Sequence, residues 1–124
     1  PRLVLQPQKD AALLRRWLAQ QGWRIMAETI AYEGGHYYQL LAAEPGRQRL
    51  TRAEAEFGPC LLRQAPPLLR GYLGEEKSRI SALIVGLNAH AGPAAQRRLR
   101  QLHAQLRKIK EVLAGLPCRE SDRD

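Results

Sequence analysis

LRQLHAQLRKIKEVLAGL, residues 99–116, decides the architecture of this chain. Leu99, Leu102, Leu106, Ile109, Leu113 and Leu116 recur at alternating intervals of three and four, which sets one apolar edge along a helix. A second edge lies upstream in Leu69, Leu73, Glu76, Ile80, Leu83 and Leu87, its rhythm broken only by the glutamate. Between the two, His90-Ala91-Gly92-Pro93 pairs a glycine suited to ending one helix with a proline suited to starting the next. Residues 67–116 therefore read as an antiparallel two-helix coiled-coil arm, each helix roughly 35 Å long at 1.5 Å per residue.

The rest of the chain must supply whatever the arm is attached to. About 50 of the residues go into the arm, which leaves roughly 65 for a globular body, near the lower limit for independent folding. The chain opens on Pro1-Arg2-Leu3-Val4-Leu5, with no methionine before the apolar run, and reads as beginning inside a buried strand. Leu3-Val4-Leu5, ending at Gln6-Pro7, is a short unalternated run of the kind covered on both faces of a parallel α/β sheet. Asp10 is placed to cap a helix with apolar positions Leu13, Leu14, Trp17 and Leu18, and Gly22 to stop it. Residues 23–32 alternate loosely, Glu33-Gly34-Gly35 is a turn, and Tyr37 through Ala43 form a second β-like run. The polar stretch 45–56 reads as a loop, and Phe57-Gly58-Pro59 leads into a short segment, Cys60 to Arg63. The expected organisation is an α/β body over 1–56, a connector over 57–66, the arm over 67–116 and a frayed tail over 117–124.

Composition narrows the partners. Twenty Lys and Arg against 12 Asp and Glu give a net charge of +8, which favours polyanions and is silent on fold. Cys60 and Cys118 have no CxxC spacing and read as two reduced thiols of a cytoplasmic protein. No apolar run reaches the length of a membrane span and no signal peptide is visible, so no membrane partner is expected.

The basic second helix is the most informative surface. It carries Arg97, Arg98, Arg100, Arg107, Lys108 and Lys110, with Glu111 as its one acid between Ala94 and Leu116. Such a run is either a solvated face that keeps the arm soluble or a phosphate-binding stripe. Arg97 with Arg100, and Arg107 with Lys110, stand three apart and share a face, which suits a backbone tracked along one side. The first helix mixes Glu75, Glu76, Lys77 and Arg79 and is the poorer candidate. His36, His90 and His103 are isolated from one another and point to no metal. Ser78 and Ser81 lie on a long helix without a nucleophile elbow. Trp17, Trp23, Tyr37 and Tyr38 could stack on bases, but their spacing assigns them to the core. With no glycine-rich phosphate cradle either, the residues alone show a body, an arm and a basic stripe, and no active site.

One resemblance adds to this. Arg2-Leu3-Val4-Leu5-Gln6-Pro7, Leu14-Arg15-Arg16-Trp17-Leu18 and Gly22-Trp23-Arg24-Ile25 are similar to segments of the bacterial tRNA (adenine-22) N1-methyltransferases. So are Tyr38-Gln39-Leu40-Leu41-Ala42-Ala43-Glu44, Phe57-Gly58-Pro59 with Leu61-Leu62, and the leucine seams ending Lys108-Ile109-Lys110-Glu111-Val112-Leu113. The resemblance covers residues 2–116 and only the C-terminal half or so of the family's length. It implies the C-terminal part of a Rossmann-like class I methyltransferase sheet, with Leu3–Gln6 as the fifth strand and residues 10–22 as its covering helix. Residues 23–32 and 35–44 become a β-hairpin of the sixth and seventh strands, followed by the coiled-coil arm.

The implied reaction moves a methyl group from S-adenosylmethionine to N1 of adenine 22 in tRNA; the basic stripe of Arg97, Arg100, Arg107, Lys108 and Lys110 is then the expected grip on the tRNA backbone. N1 already carries a lone pair, so positioning rather than deprotonation is the main task. The family's cofactor loop precedes Pro1, so the resemblance assigns no cofactor ligand here, and the 124 residues alone are expected to be inactive. Ligands in open α/β sheets gather beyond the carboxyl ends of strands, which makes Gln6 and Pro7 the residues expected nearest the active-site edge. A monomer is favoured. The competing reading is a non-catalytic helical hairpin that docks a protein partner, a second copy of itself or nucleic acid.

Overall fold

The computed structural model describes residues 1–7, 10–90 and 92–116. Ala91 of the inter-helix turn, Cys118 and the tail expected to fray lie outside the described residues. The chain divides into two compact units, Pro1–Leu69 and Arg70–Asp124. In order, the elements are β1 (Leu3–Leu5), α1 (Ala11–Gln20), β2 (Trp23–Glu33), β3 (His36–Pro45), α2 (Arg52–Phe57), α3 (Pro59–Gln64), α4 (Pro67–Leu87) and α5 (Pro93–Gly115). Among the described residues, no helix is long and apolar enough to cross a membrane.

In the first unit the strands form one sheet in the order β1-β3-β2. The β2–β3 hairpin runs from Trp23 opposite Pro45 to Glu33 opposite His36. It closes on Gly34 and Gly35, whose φ angles of 61° and 81° suit a tight turn that matches the twist of paired strands. An irregularity between Ile25 and Ala27 inserts one residue, so Ile25 and Glu28 both face inward, opposite Ala43 and Leu41.

β1 forms as expected, but one of its faces lacks the expected cover. Its partner among the described residues is antiparallel β3, with Leu3 opposite Ala43 and Leu5 opposite Leu41. Leu3 and Leu5 pack against the core of Leu18, Ile25, Leu41, Ala43 and Cys60, whereas Val4 is 71% exposed on the other face. Side chains alternate across a strand, so a three-residue apolar run meets cover on both sides only when both faces of the sheet are covered.

The Asp10 carboxylate accepts from the Leu13 amide at 3.1 Å and caps α1 as expected. The buried face of that helix is rotated from the one anticipated. Leu13 and Trp17 are exposed, Trp17 by 49%, while Ala11, Leu14, Arg15 and Leu18 turn inward. These positions are i, i+3, i+4 and i+7, a complete helical stripe that includes an arginine. The core assignment of the aromatic residues is corrected with it for Trp17 and Tyr38, which are exposed.

The stretch expected to be a loop to residue 56 becomes helical at Arg52. Thr51 Oγ1 accepts from the Glu54 amide at 3.1 Å, and Glu54 Oε1 accepts from the Thr51 amide at 2.9 Å. This reciprocal cap outweighs the polar composition of the segment. α3 follows immediately, beginning at Pro59 and burying Cys60 and Leu61.

On α5 the expected edge is buried at Leu99, Leu102 and Ile109 and half-buried at Leu106, Leu113 and Leu116. On α4, Leu73 and Ile80 are buried as expected, but the edge then passes through Ile84, 7% exposed, and not Leu83, 39% exposed. Intervals of seven and then four average about 3.67 residues per turn, the drift of a straight helix relative to a strict heptad. Arg70 Nη2 donates to the Leu116 carbonyl at 3.4 Å, tying the first turn of α4 to the end of α5.

Candidate functional site

The apolar edge of α5 dictates where its charges go. At about 100° per residue, Arg97, Arg100, Arg107 and Lys108 fall on the arc opposite Leu99, Leu102 and Ile109. Arg97, Arg100 and Arg107 are exposed, and so is Lys110, which sits closer to the buried edge. Lys108 is half-buried and already engaged by a neighbour, so it is the least available of the five. Glu111 shares the outer arc four residues after Arg107 and dilutes the positive field there. α4 offers no comparable stripe, because Glu76 accepts from Arg79 Nε at 3.2 Å and from Nη2 at 2.8 Å. That bond holds the Arg79 guanidinium above its ordinary pKa, so it stays charged and paired.

Gln6 and Pro7 follow β1 as expected, Gln6 exposed and Pro7 half-buried. Among the described residues, no group of His, Cys, Asp and Glu is placed to hold a metal. An open depression of about 480 Å³ lies elsewhere, lined by Ala19, Gln20, Gly22, Arg47, Gln48 and Arg49. The strand register separates the two places. Leu5 lies opposite Leu41, toward the hairpin turn, whereas the depression adjoins the start of β2 and the end of β3.

A third cluster escaped the reading of the residues altogether. Arg15, with no exposed surface, donates from Nε to Glu28 Oε2 at 2.8 Å and from Nη2 to Gln39 Oε1 at 2.5 Å. Its Nη1 donates to the carbonyls of Ala55 and Glu56 at 3.1 and 3.2 Å. Glu28 Oε1 accepts from the amides of Cys60 at 2.8 Å and Leu61 at 3.3 Å. One ion pair thus joins α1, β2, β3, α2 and α3. Gly58, with φ of 96°, gives it room: a Cβ there would stand 2.6 Å from Glu28 Oε1. The cluster is sealed from solvent, so it positions elements and touches no substrate. Its signal in the sequence was present but faint, a charge within each of two inward stripes, Ala11-Leu14-Leu18 and Ile25-Ile30.

These features have relatives. Residues 1–111 match the tRNA (adenine(22)-N(1))-methyltransferase family. A protein of Mycoplasma pneumoniae assigned as a tRNA methyltransferase is 39% identical over 62 residues, 48% of this chain and 29% of its own length. A Streptococcus pneumoniae structure assigned as a tRNA (m1A22) methyltransferase, in complex with S-adenosyl-L-methionine, is 29% identical with a TM-score of 0.77. The match covers 90% of this chain and 47% of that one. An uncharacterised protein of Listeria monocytogenes serotype 4b is 27% identical with a TM-score of 0.83, over 90% of this chain and 50% of its own. The chain therefore spans about half the length of these solved structures and 29% of the curated relative.

Proposed function

This chain belongs to the tRNA (adenine(22)-N(1))-methyltransferase family, and from that premise we propose that it works as the C-terminal part of an enzyme methylating N1 of adenine 22 in tRNA, with S-adenosylmethionine as donor. The match over residues 1–111 carries the reading. The Streptococcus pneumoniae neighbour, with S-adenosyl-L-methionine bound, supports the donor.

The described residues do not fit that cofactor by themselves. Gln6 and Pro7 stand at the carboxyl edge of β1, Gln6 exposed and Pro7 half-buried. The depression beside α1 is lined by two arginines, two glutamines, an alanine and a glycine, with no carboxylate for ribose hydroxyls or an ammonium group.

The chain's own task is to hold RNA. In this reading α4 and α5 pair along their apolar edges as an antiparallel coiled coil, and Arg97, Arg100, Arg107, Lys108 and Lys110 take tRNA phosphates. Shape and phosphates, rather than a linear base code, would then guide recognition of the folded RNA. Replacing Arg100, Arg107 and Lys110 together by Gln should flatten the salt dependence of tRNA binding by about one unit per lost contact. An unchanged slope would remove the arm from the binding surface.

A second reading, a hairpin that docks a protein partner or another copy, draws on Val85, 72% exposed, and Leu83 on α4. Sedimentation separates the two. A monomer that binds tRNA supports the first, and a dimer indifferent to tRNA supports the second.

A further inference from the structure

We propose that residues 46–52 form a second RNA-binding surface, carried by the first compact unit, in which Arg47 and Arg49 hold neighbouring phosphates and Trp17 offers a stacking face. The proposal rests on the tRNA reading above but on no residue of α5.

The segment is irregular in secondary structure yet fastened along its length. The Gly46 amide donates to the Gly22 carbonyl at 2.9 Å. The Gln48 side chain grips the backbone of β2, accepting from the Ile25 amide at 2.9 Å and donating to the Ile25 carbonyl at 3.4 Å. Leu50 packs against the core, and Thr51 caps α2. Burial accordingly alternates: Gly46, Gln48 and Leu50 are half-buried, while Arg47, Arg49 and Thr51 are exposed.

Arg47 and Arg49 thus leave the same side of a fastened segment, roughly 6.5 Å apart along an extended chain. That separation is comparable with the spacing of successive phosphates in a nucleic-acid strand. Among the described residues neither forms an ion pair, whereas Arg24 nearby is engaged by Glu44. Two exposed guanidinium groups this close reinforce one another's positive potential, which favours an anion beside them.

The adjoining depression, about 480 Å³, has room for a nucleotide, and both arginines line it. Gln20 of α1 lines it as well, and Trp17 stands one turn earlier on the same helix, 49% exposed. Paired cations beside an exposed indole serve single-stranded RNA, phosphates on the former and a base on the latter. The simpler role for the arginines is to complement the negative C-terminal end of α1, and the experiment distinguishes it.

The full 124-residue chain is titrated with an unmodified tRNA transcript across a salt series, read by fluorescence anisotropy. Arg47→Gln with Arg49→Gln should weaken binding and lower the salt slope by between about 1 and 2 units. Arg2→Gln with Lys77→Gln removes the same charge from exposed positions and should change it much less. Gln48→Ala leaves net charge untouched but unfastens the segment, and it too should weaken binding. RNA should quench tryptophan fluorescence, and Trp17→Phe should abolish that quenching.

The proposal is overturned if the loop variant binds as the unsubstituted chain does, or falls no further than the charge-matched control. Normal binding with a lowered melting temperature would assign the arginines to the end of α1. If the α5 triple variant loses binding while the loop variant keeps it, only this proposal fails. The converse sinks only the arm, and no binding by the unsubstituted chain sinks both.

Discussion

Arg15 and Glu28 show how far a single position can depart from its residue type. Both side chains are essentially inaccessible, and each satisfies the other together with backbone groups of α2 and α3 and the Gln39 side chain of β3. Removing one partner of a buried pair leaves the other charged and unpaired, at a cost of about 3–5 kcal/mol. Arg15→Met should therefore lower unfolding stability by that order in a denaturant titration, and an effect near zero would mean the pair is dispensable. In the sequence a buried arginine looks like a surface one, which is why this pair was not legible, whereas the cap at Asp10 and the Gly34-Gly35 turn were. Their chemistry is local, but the pair depends on five elements meeting. Beside it, burial first and the Glu28 carboxylate second push the Cys60 thiol above its usual 9.0. The folded chain then keeps that proton where the unfolded chain loses it, so stability falls as pH rises past the ordinary thiol value. In a Cys118→Ser background, Cys60 should resist iodoacetamide at neutral pH until the chain is unfolded. Rapid native labelling would contradict its burial.

At the scale of the element, local codes were legible at Asp10 and Gly34-Gly35 but not at Thr51, and helix phases were legible on α5 but not on α4 or α1. The seam of α5 was legible because six apolar residues kept one rhythm over 18 positions, residues 99–116. On α4, Leu83 and Ile84 are adjacent and both apolar, and only the pitch of the packed helix decides between them. Ile84→Ala should cost about 2–4 kcal/mol, against well under about 1 for Leu83→Ala. Equal costs in thermal melts would place the buried edge elsewhere. α2 was missed although its start carries the Thr51-x-x-Glu54 signature, because the surrounding polar residues suggested a loop. Thr51→Ala should destabilise by roughly 1 kcal/mol, and an unchanged melting temperature would show that the cap is idle.

At the scale of the whole molecule, the strand–helix–hairpin order and the two long helices were legible, but the chemistry was not. Ligands meet at places where strands and loops converge, and the described residues bring together a sealed ion pair, two cationic surfaces and a depression whose lining holds no carboxylate. Val4, 71% exposed, adds an apolar side chain for which the unalternated Leu3-Val4-Leu5 run had suggested cover. The central claim is that this chain binds tRNA without methylating it. It is tested by incubating the 124 residues with tRNA and radiolabelled S-adenosylmethionine and following both nucleic acid and label on one native gel. The account predicts a shifted tRNA band carrying no incorporated methyl group; label in the tRNA, or tRNA that never shifts, would contradict it.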